Sequence, residues 1–281
     1  MFERTPQDQF INVGDIRTRF WAIGDKGSYV LLLHGIAASI EFWNLNIQAL
    51  AKAHRVVALD MVGFGHTDKP SAPYSLSYFA RFVKDFMDIR GIGRAHVVGF
   101  SLGGGVALRL AIDYPEVVEK LVLVDSVGLG KEAALLLRSM AIPGIGSLLS
   151  RPNKMGSAML YRTCFQNKKF PLDPLIDLGY RLSALPGAQQ AFLSTMKAVA
   201  TIRGVRKEVY GPIVEHLPNI HARTLIVWGQ QDRILPVAHA HLAAKRLPHS
   251  ETCIFDPCGH LPHIEKSEKF NEVVGEFLGA Q

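Results

Sequence analysis

The chain has 281 residues with 48% hydrophobic and 20% charged side chains, a composition that supports a buried core and excludes disorder. Its formal net charge is +6, yet it has no run of consecutive basic residues interleaved with aromatics, which argues against a nucleic-acid-binding class. Three cysteines cannot build a disulfide framework, and no stretch approaches the ~18 apolar residues of a membrane span. The first nine residues, Met1–Gln9, lack an apolar leader core, so the expectation is a cytoplasmic protein with reduced thiols and no membrane span.

Taken in chain order, Phe10–Val13 and Ile16–Ile23 flank Gly14-Asp15 and read as a hairpin. Tyr29–Leu33, Arg55–Asp60, Ala95–Gly99 and Lys120–Asp125 are short apolar runs without alternation. Thr224–Trp228 and Glu251–Phe255 follow late in the chain. Such runs predict strands buried on both faces, hence a parallel sheet. Helical spacing lies between them at Ser75–Ile89, with Ser75 or Ser77 as cap, at Leu102–Asp113 and at Ser267–Leu278. Strands alternating with helices predict a doubly wound α/β fold. From Val127 to Leu217 no convincing strand appears, and Ala133–Met140, Asn153–Thr163, Pro174–Leu182 and Gln189–Ile202 read as helices. The expected organisation is an α/β core of residues 1–126 and 218–281, with 127–217 inserted as a helical cap.

That insertion holds twelve Lys and Arg against five Asp and Glu, so it carries +7 while the rest of the chain carries −1. The excess reads either as attraction for an anionic ligand or as a solvated helical surface. Four of the seven methionines (Met140, Met155, Met159, Met196) also lie there, where flexible thioethers suit an adaptable pocket or ordinary packing of short helices.

Gly99-Phe100-Ser101-Leu102-Gly103 matches G-x-S-x-G. The string alone is weak, but it follows a strand and opens a helix, the setting in which a tight turn exposes a serine hydroxyl. Gly99 and Gly103 spare that turn a Cβ clash, and Gly104 and Gly105 let helix and strand pack closely. A serine needs a base. His260, in Pro257-Cys258-Gly259-His260 after the last strand, is the candidate, with His263 as local competitor. His239 and His241 fall on expected surface helices. A carboxylate must orient the imidazole. Asp232, just after Thr224–Trp228, is the candidate, with Asp125 second and Asp60 read as a structural cap. Two backbone N–H groups must hold the oxyanion. Leu102 is one, and Ile36, in the loop His34–Ser39, is the other, with Ala37 next and His34 expected to hold the loop. Cys253, Cys258 and His260 match no zinc spacing, so no metal is expected.

These residues resemble the α/β-hydrolase family. His34-Gly35, Asp60–Gly65, Gly99–Gly103, Trp228–Asp232 and Gly259-His260 occur in the family's order across about residues 10–278. The resemblance implies an eight-stranded, mostly parallel sheet, neither metal nor cofactor, and a helical cap after the sixth strand. Serine at 101 argues against haloalkane dehalogenases and epoxide hydrolases, which use aspartate there. The cap is similar to that of the carbon–carbon hydrolases of aromatic meta-cleavage products, and Arg181 sits roughly where those enzymes keep a carboxylate-binding arginine. Phe100 before the nucleophile and Leu261 after the base depart from their usual Asn and aromatic residue. The expectation is therefore a carboxylesterase-like serine hydrolase acting on a small-molecule ester. Carbon–carbon hydrolysis is the first alternative, and a slow-turnover ligand sensor is the alternative of another class. The expected pocket residues are Phe100, Met140, Met159, Arg181, Phe192 and Leu261, with Leu136, Phe165 and Met196 adding apolar surface. A pairing of Arg181 with Asp177 on the outer face is the competing structural reading.

Overall fold

The computed structural model describes residues 5–279, so the first four and last two positions of the expected core lie outside the described residues. The sheet contains β1 (Gln9–Val13), β2 (Ile16–Ile23), β3 (Tyr29–Leu33), β4 (Arg55–Leu59), β5 (Ala95–Phe100) and β6 (Val118–Val124). A two-residue pair, β7 (Ala200–Thr201) and β8 (Gly204–Val205), stands apart from it. β9 (Arg223–Gly229) and β10 (Ser250–Phe255) then complete the sheet. The eight strands run in the order β1-β2-β4-β3-β5-β6-β9-β10. β2 pairs antiparallel with β1 and β4, and every other pairing is parallel. The expected α/β fold with a mostly parallel eight-stranded sheet is therefore present.

The hairpin closes with Val13 opposite Ile16, and Gly14 at φ 57° supplies the left-handed turn residue. The central strands are buried on both faces, all six residues of β5 among them. β10 departs from that reading. It is an edge strand paired only with β9, and Glu251 and Thr252 face solvent.

Helices α1 (Ile47–Leu50), α2 (Leu76–Ile89) and α3 (Leu102–Asp113) lie between the early strands. Ser75 caps α2 by accepting the Tyr78 N–H at 3.2 Å, and its buried stripe of Phe79, Phe82, Val83 and Phe86 faces the core. After β6 the chain leaves the sheet for α4 (Leu135–Met140), α5 (Ile145–Leu149), α6 (Lys154–Cys164), α7 (Asp173–Ser183), α8 (Ala188–Val199) and α9 (Lys207–His216). It then returns through β9, α10 (Ala238–Arg246), β10, α11 (Pro262–Glu265) and α12 (Ser267–Gly279).

Two expectations for this stretch need correction. The helix expected over Gln189–Ile202 ends at Val199. There the chain doubles back through Gly204, at φ 122°, and Arg206 N–H returns to the Val199 carbonyl at 2.9 Å, so a small hairpin occurs where no strand is expected. The short α5 and the proline-containing α9 carry too little periodic signal to be read locally. α9 packs on α3 of the core, where Ile213 is buried near Gly128. No helix among the described residues is long and apolar enough to cross a membrane.

Candidate active site

The carboxyl ends of β3, β5, β6, β9 and β10 point to one side of the sheet, where an open parallel sheet places its crevice. Ser101 leaves β5 at φ 53° and ψ −112° before α3 begins. That costly conformation is held from both sides. The Ser101 N–H donates to the Val124 carbonyl at 2.9 Å, and its own carbonyl accepts from Gly104, Gly105 and Val127. A Cβ on Gly99 would run into the Gly103 backbone, and one on Gly103 into the Leu33 carbonyl, so the turn requires both glycines. Gly104 likewise leaves room for the Ser126 hydroxyl.

The structure brings the three expected polar residues together. Ser101 Oγ lies 3.1 Å from His260 Nε2, and His260 Nδ1 lies 2.8 Å from Asp232 Oδ2. A carboxylate only accepts, so Nδ1 carries the proton and Nε2 faces the hydroxyl as an acceptor. Asp232 Oδ1 accepts the N–H groups of Ile234 at 2.7 Å and Leu235 at 3.0 Å, which fixes the carboxylate plane. Ser101, Asp232 and His260 are all buried.

Asp125, the second carboxylate considered, sits beside this line. It is fully buried at φ 43°, with Oδ1 accepting the Gly229 N–H at 3.1 Å. Burial, and then the Asp232 charge beside it, pushes its carboxyl well above the ordinary range. Asp125, Asp232 and His260 present ligand-type atoms within 4.8 Å of one another. The Asp232–His260 bond and the backbone donors on both carboxylates already engage most of that donor set.

His263 lies fully buried between Trp43 and Phe100, at centroid distances of 4.7 and 4.5 Å. Burial, with His260 nearby, pushes it down to about 3, so it is a neutral packing ring. His34 is also buried and pushed down to about 4 by its burial. Its Nδ1 donates to the Gly35 carbonyl at 2.7 Å and its Nε2 accepts the Met61 N–H at 3.0 Å, which holds the Ile36 loop. Asp60 anchors the same region by accepting the Ile40 and His66 N–H groups, each at 2.8 Å, and by pairing with Arg19 at 3.3 Å. His239 is not on the surface. It is buried in α10, with Nε2 at 3.0 Å from Glu132.

The serine opens into an apolar cavity of about 500 Å³. Gly35, Ile36 and Ala37 line it from the β3 loop, and the expected Phe100, Met140, Met159, Phe192 and Leu261 line it too. Arg181 does not. It is exposed on α7 and outside the lining, so the expectation that it grips substrate is corrected. Its spacing on α7 turns it outward, away from the buried stripe of Leu175, Leu178 and Leu182. The pairing with Asp177 is corrected as well, because Asp177 bonds to Lys154 at 2.7 Å. Phe165 and Met196 are buried in packing away from the cavity.

Glu265 is the residue that sequence reasoning missed. It is buried, and its two oxygens accept the N–H groups of Gly259 at 2.9 Å, Gln166 at 3.1 Å and Asn167 at 2.5 Å. The His260 N–H donates to the Cys164 carbonyl at 2.7 Å. The loop that carries the imidazole is thereby tied to the end of α6. An acid five residues after the candidate base has no local signature, since all of these partners but Gly259 are about a hundred residues away.

The sequence model of the alpha/beta hydrolase fold matches residues 29–267. A 2-hydroxy-6-oxo-6-(2'-aminophenyl)hexa-2,4-dienoic acid hydrolase of Metapseudomonas resinovorans is 32% identical, over 96% of this chain and 90% of its own length. The structure of the meta-cleavage product hydrolase of Pseudomonas fluorescens IP01 superposes with a TM-score of 0.82 at 28% identity, covering 96% of each chain. That of a membrane phospholipase A, described as a bacterial virulence factor, superposes with a TM-score of 0.82 at 27% identity. It covers 97% of this chain and 85% of the other.

Proposed function

The chain belongs to the alpha/beta hydrolase fold family, and on that premise we propose that it hydrolyses carboxylic esters of apolar acyl groups through an acyl-enzyme on Ser101. The observation that carries this reading is the Ser101–His260–Asp232 line, with contacts of 3.1 and 2.8 Å, opening into a cavity walled mostly by apolar side chains, with Lys69 and Arg151 as its cations. His260 Nε2 takes the hydroxyl proton as Ser101 Oγ attacks the ester carbonyl, and Asp232 stabilises the imidazolium. The N–H groups of Ile36 and Leu102 receive the oxyanion. The Leu102 N–H belongs to the first turn of α3 and has no partner within the helix. The imidazolium returns its proton to the leaving alcohol, and a water activated by the same base then releases the acid.

In this reading residues 127–217 act as a cap that sets substrate choice. Cap residues Leu136, Met140 and Phe192 share the cavity wall with Ile36 and Phe100 of the core. Lys69, the lining cation on the core side, has Nζ tied to the Gly65 and Thr67 carbonyls at 2.8 and 2.9 Å, so it offers little to a substrate anion.

Carbon–carbon hydrolysis of a vinylogous diketone acid is the second reading, favoured by the names of the relatives with 32% and 28% identity. Against it stand an outward Arg181 and apolar Phe100 and Leu261 flanking the serine and histidine. The deciding experiment runs p-nitrophenyl esters of increasing chain length beside a 2-hydroxy-6-oxohexa-2,4-dienoate. Ester turnover that rises with acyl length, and exceeds turnover of the dienoate, is expected. A dienoate rate far above every ester reverses the assignment, and tight binding without turnover of either returns the sensor reading.

A further inference from the structure

Among the described residues nine large apolar side chains are exposed, and six of them fall between positions 135 and 159. They are Leu135, Ile145, Leu148, Leu149, Met155 and Met159. The short helices beneath them supply no core: α4 buries none of its residues and α5 only Gly146. Leu135, Leu136 and Leu137 stand in a row with none buried. Exposed apolar side chains concentrated in one stretch in this way mark an interaction surface.

Charge distinguishes the candidate occupants. Residues 133–172 contain six Lys and Arg (Arg138, Arg151, Lys154, Arg162, Lys168, Lys169) and no Asp or Glu, and of these only Lys154 is ion-paired among the described residues, with Asp177 of α7. On α6, Met155, Met159 and Arg162 follow at intervals of four and three, so the apolar and basic side chains share one helix face. A second copy of the chain docked about a two-fold axis would set this basic face against itself, a like-charge arrangement that costs energy. An anionic lipid surface satisfies both features, taking the apolar side chains into the acyl boundary and the cations into the headgroups. The patch is also continuous with the candidate site. Leu148, Leu149, Met155 and Met159 line the cavity as well as facing solvent, so four of the six exposed side chains belong to both surfaces.

We propose that the exposed face of α4, α5 and α6 docks on a bilayer surface bearing anionic phospholipid, and that apolar ester substrates enter the cavity from that surface. The second clause rests on the ester reading above, whereas the first does not.

The test is co-sedimentation of the full chain, as its Ser101→Ala form, with phosphatidylcholine vesicles with and without phosphatidylglycerol, at low and at high salt. Binding needs no turnover in this form, so the result is independent of which bond the wild-type protein cleaves. The expected result is strong association with the phosphatidylglycerol vesicles, weak association with phosphatidylcholine alone, and loss at high salt. Arg162→Gln with Lys169→Gln is expected to lower partitioning by about fivefold per charge removed. Leu135→Ser with Ile145→Ser is expected to lower it by roughly tenfold. None of these four side chains lines the cavity, so turnover of a soluble short-chain ester by the same variants in the Ser101 background, with circular dichroism, reports that the fold is intact. Equal binding to both vesicle types, absence of binding to either, or partitioning unchanged in both double variants overturns the proposal. So does a dimer in sedimentation velocity that Leu135→Ser with Ile145→Ser dissolves, which makes the face a self-contact.

Discussion

The β5 turn and the α4–α6 stretch both line one cavity, and they are built on opposite principles. Around Ser101 every residue of β5 is buried, the serine backbone is fixed by four hydrogen bonds, and glycines stand where no Cβ fits. In the other stretch α4 buries nothing, and Leu148, Met155 and Met159 face both solvent and cavity. The proposed chemistry needs groups held within tenths of an ångström, and the dense side supplies that. Selection of an apolar ligand tolerates looseness, and a wall with few buried contacts opens at low cost.

Ser101→Ala makes that contrast sharpest. It should remove ester turnover by a factor on the order of 10⁶, if the serine-protease case transfers, while the urea midpoint stays put. A near-wild-type rate in a steady-state assay would remove the serine side from the chemistry altogether. Asp232→Asn should cost about 10⁴-fold in kcat by the same analogy. Asp125→Asn should cost far less, because His260 keeps its carboxylate partner. A reversal of these two effects would place the orienting acid at the end of β6.

Glu265→Gln tests the link between the two walls. The amide retains one accepting oxygen for three N–H donors, so a loss of about 1–3 kcal/mol in urea unfolding is expected, together with a lower kcat. Unchanged kcat would mean that the imidazole loop needs no support from α6.

The pH dependence of stability probes the dense side. His34 is pushed down to about 4 and His263 to about 3, both by burial. Below the ordinary histidine value near 6.5 the unfolded chain therefore takes up protons that the folded chain refuses. Their contribution is fully present above pH ~6.5 and is lost as the pH falls toward 4. His263→Phe should flatten that slope in urea titrations between the two limits, and an unaltered slope would show that His263 takes no part in it. The smallest effect is expected on the loose side. Arg181→Met should change kcat/KM by no more than about twofold on either a neutral ester or one bearing a free carboxylate, because the guanidinium is exposed and outside the cavity. A selective loss on the charged substrate would restore Arg181 as an anion contact.

The elements legible in the sequence are those whose signal is local. The runs at β3, β4, β5, β6 and β9, the Gly14 turn, the Ser75 cap and the Gly99–Gly103 turn each lie within a dozen residues, and the structure has all of them. Phe100, Met140, Met159, Phe192 and Leu261 line the cavity, as their type and position lead one to expect. The failures have a common cause. Distance along the chain puts Arg181 near the site, but position within one helical turn decides which side of α7 a residue faces. Asp177 had two cations within reach, and Lys154, from a different helix, took it.

What the residues determined by themselves is a parallel sheet with helices, a serine on a strained turn, and the order serine, carboxylate, histidine along the chain. Backbone preference and hydrophobic period act over neighbouring residues, so they can be read from neighbours. Tertiary structure alone decided that Asp232 faces His260 Nδ1 while Asp125, its carboxyl pushed upward by burial, accepts the Gly229 N–H instead. It also decided that Glu265 ties the histidine loop to Gln166 and Asn167, and that Leu135 of α4 is left in water while Leu136 and Leu137 line the cavity. Those outcomes depend on contacts between segments up to a hundred or more residues apart, and on which surface remains once the core is filled.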